Sequence, residues 1–371
     1  MKKTQPIRKD ISPNSRVRRK KSSKGPVLLL CLILSLAAFF LARPLFTGKS
    51  PQPSESASRT SGLTESSGSE TIQTSFPSSA WTEETFETTK KSLTTKDRSQ
   101  ALQAAGEEVI RLLENQEGRF GVFYMNLSGG EVWAYHDEDP FVAASSIKLG
   151  INTYLYSCVA SGKAHLDDIL TYDRRPYPTG DFEAGTGTVQ NLPDKSQMTV
   201  REASRLSICI SDNCATNMII RYLDGIDVIN EWLSEISGIV NYRTVVTYTD
   251  YAGQIQKGRH RSCARDLGLH AAELYRLWLE NQAVYTPLIE DLCHTEFDFG
   301  IQKGIPEQIQ VAHKIGTNGI YCAENDVGIV FCEEPFVLCV MTEMRSAEKA
   351  HNIEAEIAEI FYRRTGLWPW Q

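Results

Sequence analysis

Hydrophobic and polar positions follow different patterns along the chain and divide it into four segments. Residues 26–42 form one apolar run, PVLLLCLILSLAAFFLA, whereas residues 47–98 hold few large apolar side chains among Ser, Thr, Glu and Pro. From Ser99 onwards, apolar residues recur at the spacings typical of helices and strands. The pattern predicts a polar N-terminal tail, a segment long enough to span a bilayer, a disordered linker over 47–98 and one folded domain over 99–371.

The folded domain begins and ends with a predicted helix, and its predicted strands lie near both ends. Apolar groups at helical spacing predict a helix over residues 99–116, and residues 145–295 are mostly helical in pattern. The predicted strands and the C-terminal helix cover residues 121–127, 131–135, 311–315, 326–332, 336–341 and 347–363. Strands near both ends predict one sheet completed by the two termini of the domain, with a helical region inserted between them.

The tail, residues 1–24, is strongly basic, with ten Lys or Arg and the single acid Asp10. Its net charge of about +9 leaves about −16 for the rest of a chain whose total charge is −7. Cations before an apolar run follow the positive-inside rule, so residues 25–46 are predicted to be a single-pass signal anchor. The tail is then cytoplasmic, the protein lies in the cell membrane, and the folded domain is extracellular. A cleaved signal peptide is the alternative, although Phe40 makes a poor cleavage site.

Charge and cysteine content restrict the partners and cofactors. An acidic body argues against nucleic acid, because phosphate contacts need clustered cations. The nine cysteines include no C-x-x-C pair and the seven histidines show no metal-ligand spacing, so no metal or cofactor is expected. Cys332 with Cys339, and Cys209 with Cys214, are candidate disulfide pairs if the domain meets an oxidising compartment.

Three short motifs with residue types suited to serine catalysis follow one another in the domain. They are SSIK at 145–148, SDN at 211–213 and KIGT at 314–317, and a second S-x-x-K at 346–349 lies in the predicted C-terminal helix without companions. A serine hydroxyl is a poor nucleophile until a nearby base takes its proton. Three residues along a helix place Lys148 beside Ser145. Burial and a second cation such as Lys314 lower the pKa of a lysine, as a base requires.

These motifs resemble the S-x-x-K, S-D-N and K-T-G elements of class A β-lactamases and, more broadly, of the penicillin-binding-protein superfamily. The stretches MTVREASRLSICISDNCATNMII and VAHKIGT are similar to the family's sequences around the second and third elements. The resemblance covers residues 99–371. It implies a β-lactamase/transpeptidase-like α+β fold, an α/β/α sandwich whose five-stranded antiparallel sheet is flanked by helices and interrupted by an all-α subdomain.

The resemblance also implies a role for each matching residue. The expected catalytic residues are Ser145, Lys148, Ser211 and Lys314. Ser211 is expected to relay a proton to the leaving nitrogen, and Asn213 to hold the substrate amide. Gly316 and Thr317 are expected to bind the substrate along the strand edge. The backbone N–H groups of Ser145 and Thr317 are expected to form the oxyanion hole.

Two departures from the family pattern affect the expected chemistry. Class A enzymes have a glutamate about 34 residues after the Asn of S-D-N, and counting from Asn213 reaches Thr247, in a segment whose only carboxylate is Asp250. Asp250 is therefore the one candidate there for the base that activates the deacylating water. Ile315 replaces the Thr or Ser that binds the substrate carboxylate, so the hydroxyl of Thr317 is expected to compensate.

Three functions remain open on these observations. The first is hydrolysis of β-lactams or related cyclic amides, and the second is a D,D-peptidase or esterase activity on cell-wall peptides with slow β-lactam release. The third is a catalytically weak module that binds or senses cell-wall fragments. In each case the partner is a small molecule or cell-wall peptide, the domain is expected to be monomeric, and the glycine-rich stretch 181–190 is expected at the rim of the site.

Overall fold

The computed structural model describes residues 94–249, 253–259 and 261–367. The predicted tail 1–24, signal anchor 25–46 and nearly all of the predicted linker 47–98 lie outside the described residues, as does Asp250. Within the described ranges, no helix is long and apolar enough to cross a membrane.

The described residues form the following elements in chain order. They are α1 (Thr95–Leu113), β1 (Arg119–Asn126), β2 (Val132–Tyr135), α2 (Lys148–Ala160), β3 (Ile169–Thr171), β4 (Gln197–Thr199), α3 (Val200–Cys209), α4 (Asn213–Tyr222), α5 (Ile226–Ser237), β5 (Val245–Thr249), β6 (Ile255–Arg259), α6 (Ala264–Glu280), α7 (Gln282–Cys293), β7 (Gln310–Asn318), β8 (Ala323–Phe331), β9 (Phe336–Glu343) and α8 (Ala347–Phe361). Short 3-10 turns precede α2 and β7, and a π-helical turn follows α8.

Helix α1 begins at Thr95, three residues before the predicted end of the linker at residue 98. The side chain of Thr94 accepts a hydrogen bond from the Asp97 N–H at 3.3 Å, and the Asp97 carboxylate accepts one from the Thr94 N–H at 3.1 Å. This reciprocal capping box satisfies two backbone donors at the helix start. The predicted linker is therefore too long at its C-terminal end, because a threonine that caps a helix resembles the Ser/Thr-rich sequence before it.

The predicted five-stranded antiparallel sheet is confirmed. Its strand order is β2-β1-β9-β8-β7, so two strands from the start of the domain join three from its end. Successive side chains of β1 face opposite sides: Val122 and Tyr124 pack with α1 and α8, whereas Phe123 packs with the inserted helices. Helices thus cover both faces of the sheet, which explains the continuous apolar runs of its central strands.

The inserted region between β2 and β7 is mainly helical but is not all-α as predicted. Strands β3 and β4 form one two-stranded ribbon, and β5 and β6 form another. Each strand has only three to five residues, too short to give a period-two pattern that stands out from the neighbouring loops. The second ribbon forms part of the wall of the cleft described below.

The eight cysteines within the described residues are all free thiols, so neither candidate disulfide is formed. Cys339 lies on a central strand of the sheet and is fully buried, with Cys332 at the end of the neighbouring strand. Burial raises the pKa of Cys332 to about 12. In this setting the thiols act as small apolar core groups.

A cluster of buried carboxylates lies between the sheet and α8. Glu354 of α8 is buried, its Oε1 atom has no hydrogen-bond partner, and its pKa is raised well above its usual value by burial and by the charges of Asp326 and Glu324. Asp326 accepts hydrogen bonds from the Ile301 N–H and pairs with His313, while Glu324 pairs with His351. Glu354 therefore takes up a proton on folding at pH values where the unfolded chain has lost it.

Replacing Glu354 with Gln is expected to stabilise the fold by about 1–3 kcal/mol at pH 8 and by less at pH 5. The raised pKa of Glu354 means that stability is lost as the pH rises above 4.5, its ordinary value. A glutamine removes this loss because it does not titrate. Urea unfolding at both pH values measures the difference, with Glu356→Gln, an exposed site on the same helix, as the control. Equal gains at pH 5 and pH 8 would contradict this account of Glu354.

Candidate active site

Ser145 lies in a 3-10 turn, Ala144–Ile147, that runs directly into α2. Ala144, the residue before it, has a φ of +49°, a left-handed conformation that costs a non-glycine residue about 1 kcal/mol or more. The buried hydroxyl of Ser146 donates to the Ala143 carbonyl at 2.6 Å and holds the turn closed. Ser145 is half-buried and lines a cleft of about 930 Å³.

Lys148 is the first residue of α2 and is buried beside the second motif. Its ammonium group donates to the Ser211 carbonyl at 2.6 Å, to Asn213 Oδ1 at 2.8 Å and to Ser211 Oγ at 3.2 Å. A charged lysine has three protons to donate, and these three acceptors use all of them. Only the neutral form has a lone pair, so the loss of one proton is what makes Lys148 a base.

Ser211 lies in the short break between α3 and α4, within the mainly helical insertion. Its φ of +55° is left-handed, and Asp212 caps α4 by accepting from the Ala215 N–H at 2.9 Å. The Ser211 hydroxyl receives a hydrogen bond from Lys314 at 3.1 Å in addition to the one from Lys148. The helix break therefore places this hydroxyl between the two predicted lysines.

The third motif lies within β7, which extends three residues beyond the predicted strand end at 315. Lys314 is fully buried, whereas Thr317 is exposed at the cleft wall. Ile315 is buried, and its side chain has no hydroxyl with which to bind a substrate carboxylate. The exposed hydroxyl of Thr317 remains the candidate group for binding a substrate carboxylate.

Gly316 permits the closest approach between β7 and the nucleophile turn. A Cβ atom at this position would lie 2.3 Å from the Ala143 carbonyl oxygen, 2.6 Å from the Ser146 nitrogen and 3.1 Å from the Ser145 nitrogen. The backbone on both sides cannot move away easily, so only glycine fits. This contact brings the N–H of Ser145 next to the strand that contains Thr317, as the predicted oxyanion hole requires.

Asn325 of β8 reinforces this contact and was missed by the sequence analysis. Its buried side-chain amide donates to the carbonyls of Val142 at 2.9 Å, Gly316 at 3.0 Å and Ala143 at 3.3 Å. One side chain thus ties the turn before Ser145 to β7. Asn325 lies between Glu324 and Asp326 in the strand AENDVGIVF, and three polar residues in succession in a sheet strand were the only signal for it.

The glycine-rich stretch 181–190 lies at the rim of the cleft, as expected. Asp212 Oδ2 accepts hydrogen bonds from the N–H groups of Thr188 at 2.6 Å and Val189 at 2.8 Å. Gly187, with a φ of +104°, packs so closely on Asp212 that a Cβ atom would lie 2.2 Å from its carboxylate. The aspartate of the second motif thus shapes the rim as well as the helix that follows it.

The electrostatic environment favours the neutral form of both lysines. Burial lowers the pKa of Lys148 well below its usual value, and the positive charges of Lys314 and Arg243 lower it further. Burial also lowers the pKa of Lys314 to about 7, against the opposing charge of Asp326. The site therefore favours the proton-accepting form of Lys148 and holds a second lysine with a pKa near neutrality.

The ribbon side of the cleft is cationic. Segment 239–259 contributes Tyr242, Arg243, Lys257, Gly258 and Arg259 to the wall, and its one carboxylate, Asp250, lies outside the described residues. Arg243 forms an ion pair with Glu183 of the rim loop. Although burial alone raises the pKa of Glu183, Arg243 and Asn217 bring it below the usual value. Glu183, one of the two carboxylates that line the cleft, is thus ion-paired with an arginine and is a weak base.

The cleft has a volume of about 930 Å³ and brings together Ser145, Lys148, Asn213 and Thr317 from three elements and the turn before α2. Ser211 and Lys314 join this group through their hydrogen bonds to each other and to Lys148. Within the described ranges no three His, Cys, Asp or Glu side chains are grouped as metal ligands. The predicted site residues are therefore neighbours, and their chemical roles remain predictions.

Comparison with solved structures identifies the fold of the domain. The structure of PBP-A aligns with a TM-score of 0.59 at 23% identity and covers 70% of this chain and 95% of its own. A β-lactamase from Sphaerobacter thermophilus aligns with a TM-score of 0.57 at 22% identity, over 75% of this chain and all of its own. At this identity the likeness concerns the fold, and it defines the domain as an α+β domain of the class A β-lactamase and penicillin-binding-protein type.

The family follows from the sequence comparison. The model of the β-lactamase enzyme family matches residues 104–365, and the chain belongs to that family. The β-lactamase SME-1 of Serratia marcescens is 22% identical over 275 residues, which are 69% of this chain and 86% of that protein. A β-lactamase of Streptomyces albus G is 25% identical over 275 residues, 68% of this chain and 82% of its own.

Replacing Gly316 with Ala is expected to destabilise the domain by about 2 kcal/mol and to slow acylation of Ser145. The added methyl group would press β7 away from the Ser145 turn. Gly319→Ala is the matched control, because a Cβ at Gly319, in the β7–β8 turn, meets no atom within 4 Å. Thermal unfolding and penicillin labelling measure both effects. Equal behaviour of the two variants would show that the close approach is unimportant.

Replacing Lys314 with Met is expected to slow acylation of Ser145 about 100-fold and to move the rising limb of its pH profile to higher pH. The variant loses a cation that lowers the pKa of Lys148, so Lys148 releases its proton only at higher pH. The shift should be evident below pH 7, where Lys314, with a pKa of about 7, is protonated. Labelling rates between pH 5 and 9 measure it, with the exposed Lys303→Met as control. An unshifted limb would contradict the predicted coupling.

Proposed function

We propose that this protein is a serine hydrolase that forms an acyl-enzyme at Ser145 with β-lactams or related amides. The observation that supports the proposal most strongly is the Ser211 hydroxyl, hydrogen-bonded by both Lys148 and Lys314 beside the cleft that Ser145 lines. This arrangement provides a base for the nucleophile and a proton path to the leaving group. The family supports the reaction type, since its sequence relatives include named β-lactamases.

The proposed first step uses the neutral form of Lys148. Lys148 accepts the hydroxyl proton of Ser145, and the serine oxygen attacks the carbonyl carbon of the amide. The N–H groups of Ser145 and Thr317 stabilise the negative charge on the carbonyl oxygen. As the C–N bond breaks, the leaving nitrogen takes a proton through Ser211, which Lys148 resupplies, and an ester remains on Ser145.

One structural neighbour provides a precedent for such an ester. It is a point mutant of PBP-A in an acyl-enzyme complex with penicillin G, and its fold aligns with a TM-score of 0.59 at 23% identity. The likeness lies in the fold, so the same intermediate in this chain is part of the proposal. Because the ester in that neighbour was formed with penicillin G, penicillins are the first probes to use on this protein.

The second step of the reaction has weaker support. Hydrolysis of the ester needs a base that activates water, and the cleft's two described carboxylates, Glu183 and Glu343, are ion-paired with arginines. Asp250, the candidate base, lies outside the described residues. This observation favours the second candidate function, a D,D-peptidase or esterase on cell-wall peptides from which β-lactams are released slowly.

The proposed cellular setting is the outer face of the cell membrane. It rests on the basic tail 1–24 and the apolar run within 25–46, both outside the described residues. A tether over most of 47–98 would keep the domain near cell-wall substrates. Cleavage of the domain by an external protease in intact cells is the expected result, and protection from the protease would contradict this orientation.

Exposure to benzylpenicillin is expected to add the mass of one intact penicillin to the protein, with the adduct persisting for minutes. Ring opening retains all atoms of the β-lactam, and slow deacylation preserves the ester. Intact-mass measurement over time detects both steps. Ser145→Ala should abolish the adduct. The matched control is Ser346→Ala, which alters the second S-x-x-K at the start of α8 and should leave labelling unchanged.

The outcomes separate the candidate functions. Rapid loss of the antibiotic without an accumulating adduct would favour β-lactam hydrolysis, and Asp250→Asn should then trap the ester. Tight binding that Ser145→Ala leaves unchanged would favour the binding or sensing module. Labelling that survives Ser145→Ala, or no reaction with any β-lactam, would contradict the proposed function.

A further inference from the structure

The mouth of the cleft differs in charge from the body of the chain. Besides the buried Lys148, five Lys or Arg residues line it, against the two acids Glu183 and Glu343. The five are Arg119, Arg243, Lys257, Arg259 and Arg261. The chain after its basic tail has a net charge of about −16, so this cationic lining is a local feature. A cleft lined by one sign of charge concentrates ligands of the opposite sign.

The cations form two groups at different places along the cleft. Arg119 and Arg261 both bind Glu343, at 2.5 and 3.1 Å, and Arg261 also packs over the Tyr321 ring near the β7–β8 turn. The other group consists of Arg243 and Arg259, which pair with Glu183, and of Lys257, and we call it the ribbon cations because all three lie on β6 or just before β5. Arg119 and Arg261 are held by Glu343 and by the Tyr321 ring. The ribbon cations have one described carboxylate partner, Glu183, for three positive charges.

The ribbon cations lie on the same side of the cleft as Asn213. Glu183 accepts a hydrogen bond from Asn217 of α4 at 3.2 Å, and Asn213 begins the same helix. Asn213 is the residue expected to hold the substrate amide, and the backbone of Gly185 lies against its side chain. A group attached to the acyl side of the scissile bond would therefore extend from Asn213 towards the ribbon cations.

Among the described residues, the carboxylate of Glu183 pairs with two of the three ribbon cations. Arg243 binds Glu183 and packs 4.2 Å over the Tyr177 ring, and its buried Nε atom has no hydrogen-bond partner. Arg259 is 3.6 Å from Glu183 and is 67% exposed. Lys257 is exposed and forms no ion pair among the described residues. Counting only the described residues, the ribbon cations exceed their carboxylate partner by about two charges, and two of the three cations, Lys257 and Arg259, are exposed.

We propose that the ribbon cations form an anion subsite that selects substrates whose acyl group carries a carboxylate. Lys257 and Arg259 would contact the carboxylate, while Arg243 holds Glu183 and adds positive potential. The class of substrate is an acidic amide or peptide with a free carboxylate one or two bonds from the acyl amide. This inference rests on the proposed function, because it concerns the acyl group transferred to Ser145.

Two penicillins that differ by one carboxylate provide the test. Carbenicillin and benzylpenicillin share the penam nucleus and phenyl group, and carbenicillin adds a carboxylate on the acyl side chain. The full-length protein is expected to be acylated roughly tenfold faster by carbenicillin, as two exposed cations acting together would give. The ratio should fall as salt is added, because exposed charges are screened.

The variants assign this preference to particular side chains. Lys257→Gln combined with Arg259→Gln should lower the carbenicillin-to-benzylpenicillin ratio to near one. Lys163→Gln is the matched control: its exposed lysine follows α2 at the end away from Ser145, about 20 Å along the helix, and the ratio should be retained.

The results separate failure of this inference from failure of the proposed function. If both penicillins label Ser145 but benzylpenicillin reacts equally fast or faster, the anion subsite is wrong and the proposed function stands. A preference that survives in the double variant would also overturn the subsite. If neither penicillin labels Ser145, the proposed function fails and the inference fails with it.

Discussion

Two buried ammonium groups share one serine hydroxyl, and much of the domain's architecture serves to hold them there. Lys148 and Lys314 approach Ser211 Oγ at 3.2 and 3.1 Å, although each belongs to a different element. Like charges this close in a buried site repel, and burial penalises the charged form of each. Both effects favour a neutral lysine, which is the form that can accept the proton of Ser145.

The cost of this arrangement is distributed over the surrounding backbone. Ala144 and Ser211 adopt left-handed conformations on either side of Lys148, and Gly316 allows β7 to touch the Ser145 turn. Asn325 compensates by joining that turn to the strand with three hydrogen bonds. The charge of Asp326 supports protonated Lys314 against burial, and the pKa of Lys314 therefore remains near 7.

Sequence patterns predicted the features that depend on local spacing, and missed those that depend on contacts between distant segments. The S-x-x-K interval indicated the lysine beside Ser145, and the apolar runs indicated the strands at both ends of the domain, because both follow from helix and strand periodicity. The five-stranded antiparallel arrangement was implied by the family resemblance. The Asn325 hydrogen bonds and the pairing of Arg243 with Glu183 join residues about 60 to 180 positions apart, which no local pattern reveals. The start of α1 was missed because a capping threonine follows a threonine-rich stretch.

The central claim is that Ser145 is acylated within the cleft where these lysines meet. A crystal structure of the protein after reaction with benzylpenicillin tests it most directly. We expect continuous electron density from Ser145 Oγ to an opened penicillin, with the ester carbonyl oxygen within hydrogen-bond distance of the Ser145 and Thr317 N–H groups. Density attached to another residue, or Lys148, Ser211 and Lys314 on separate surfaces, would contradict the account.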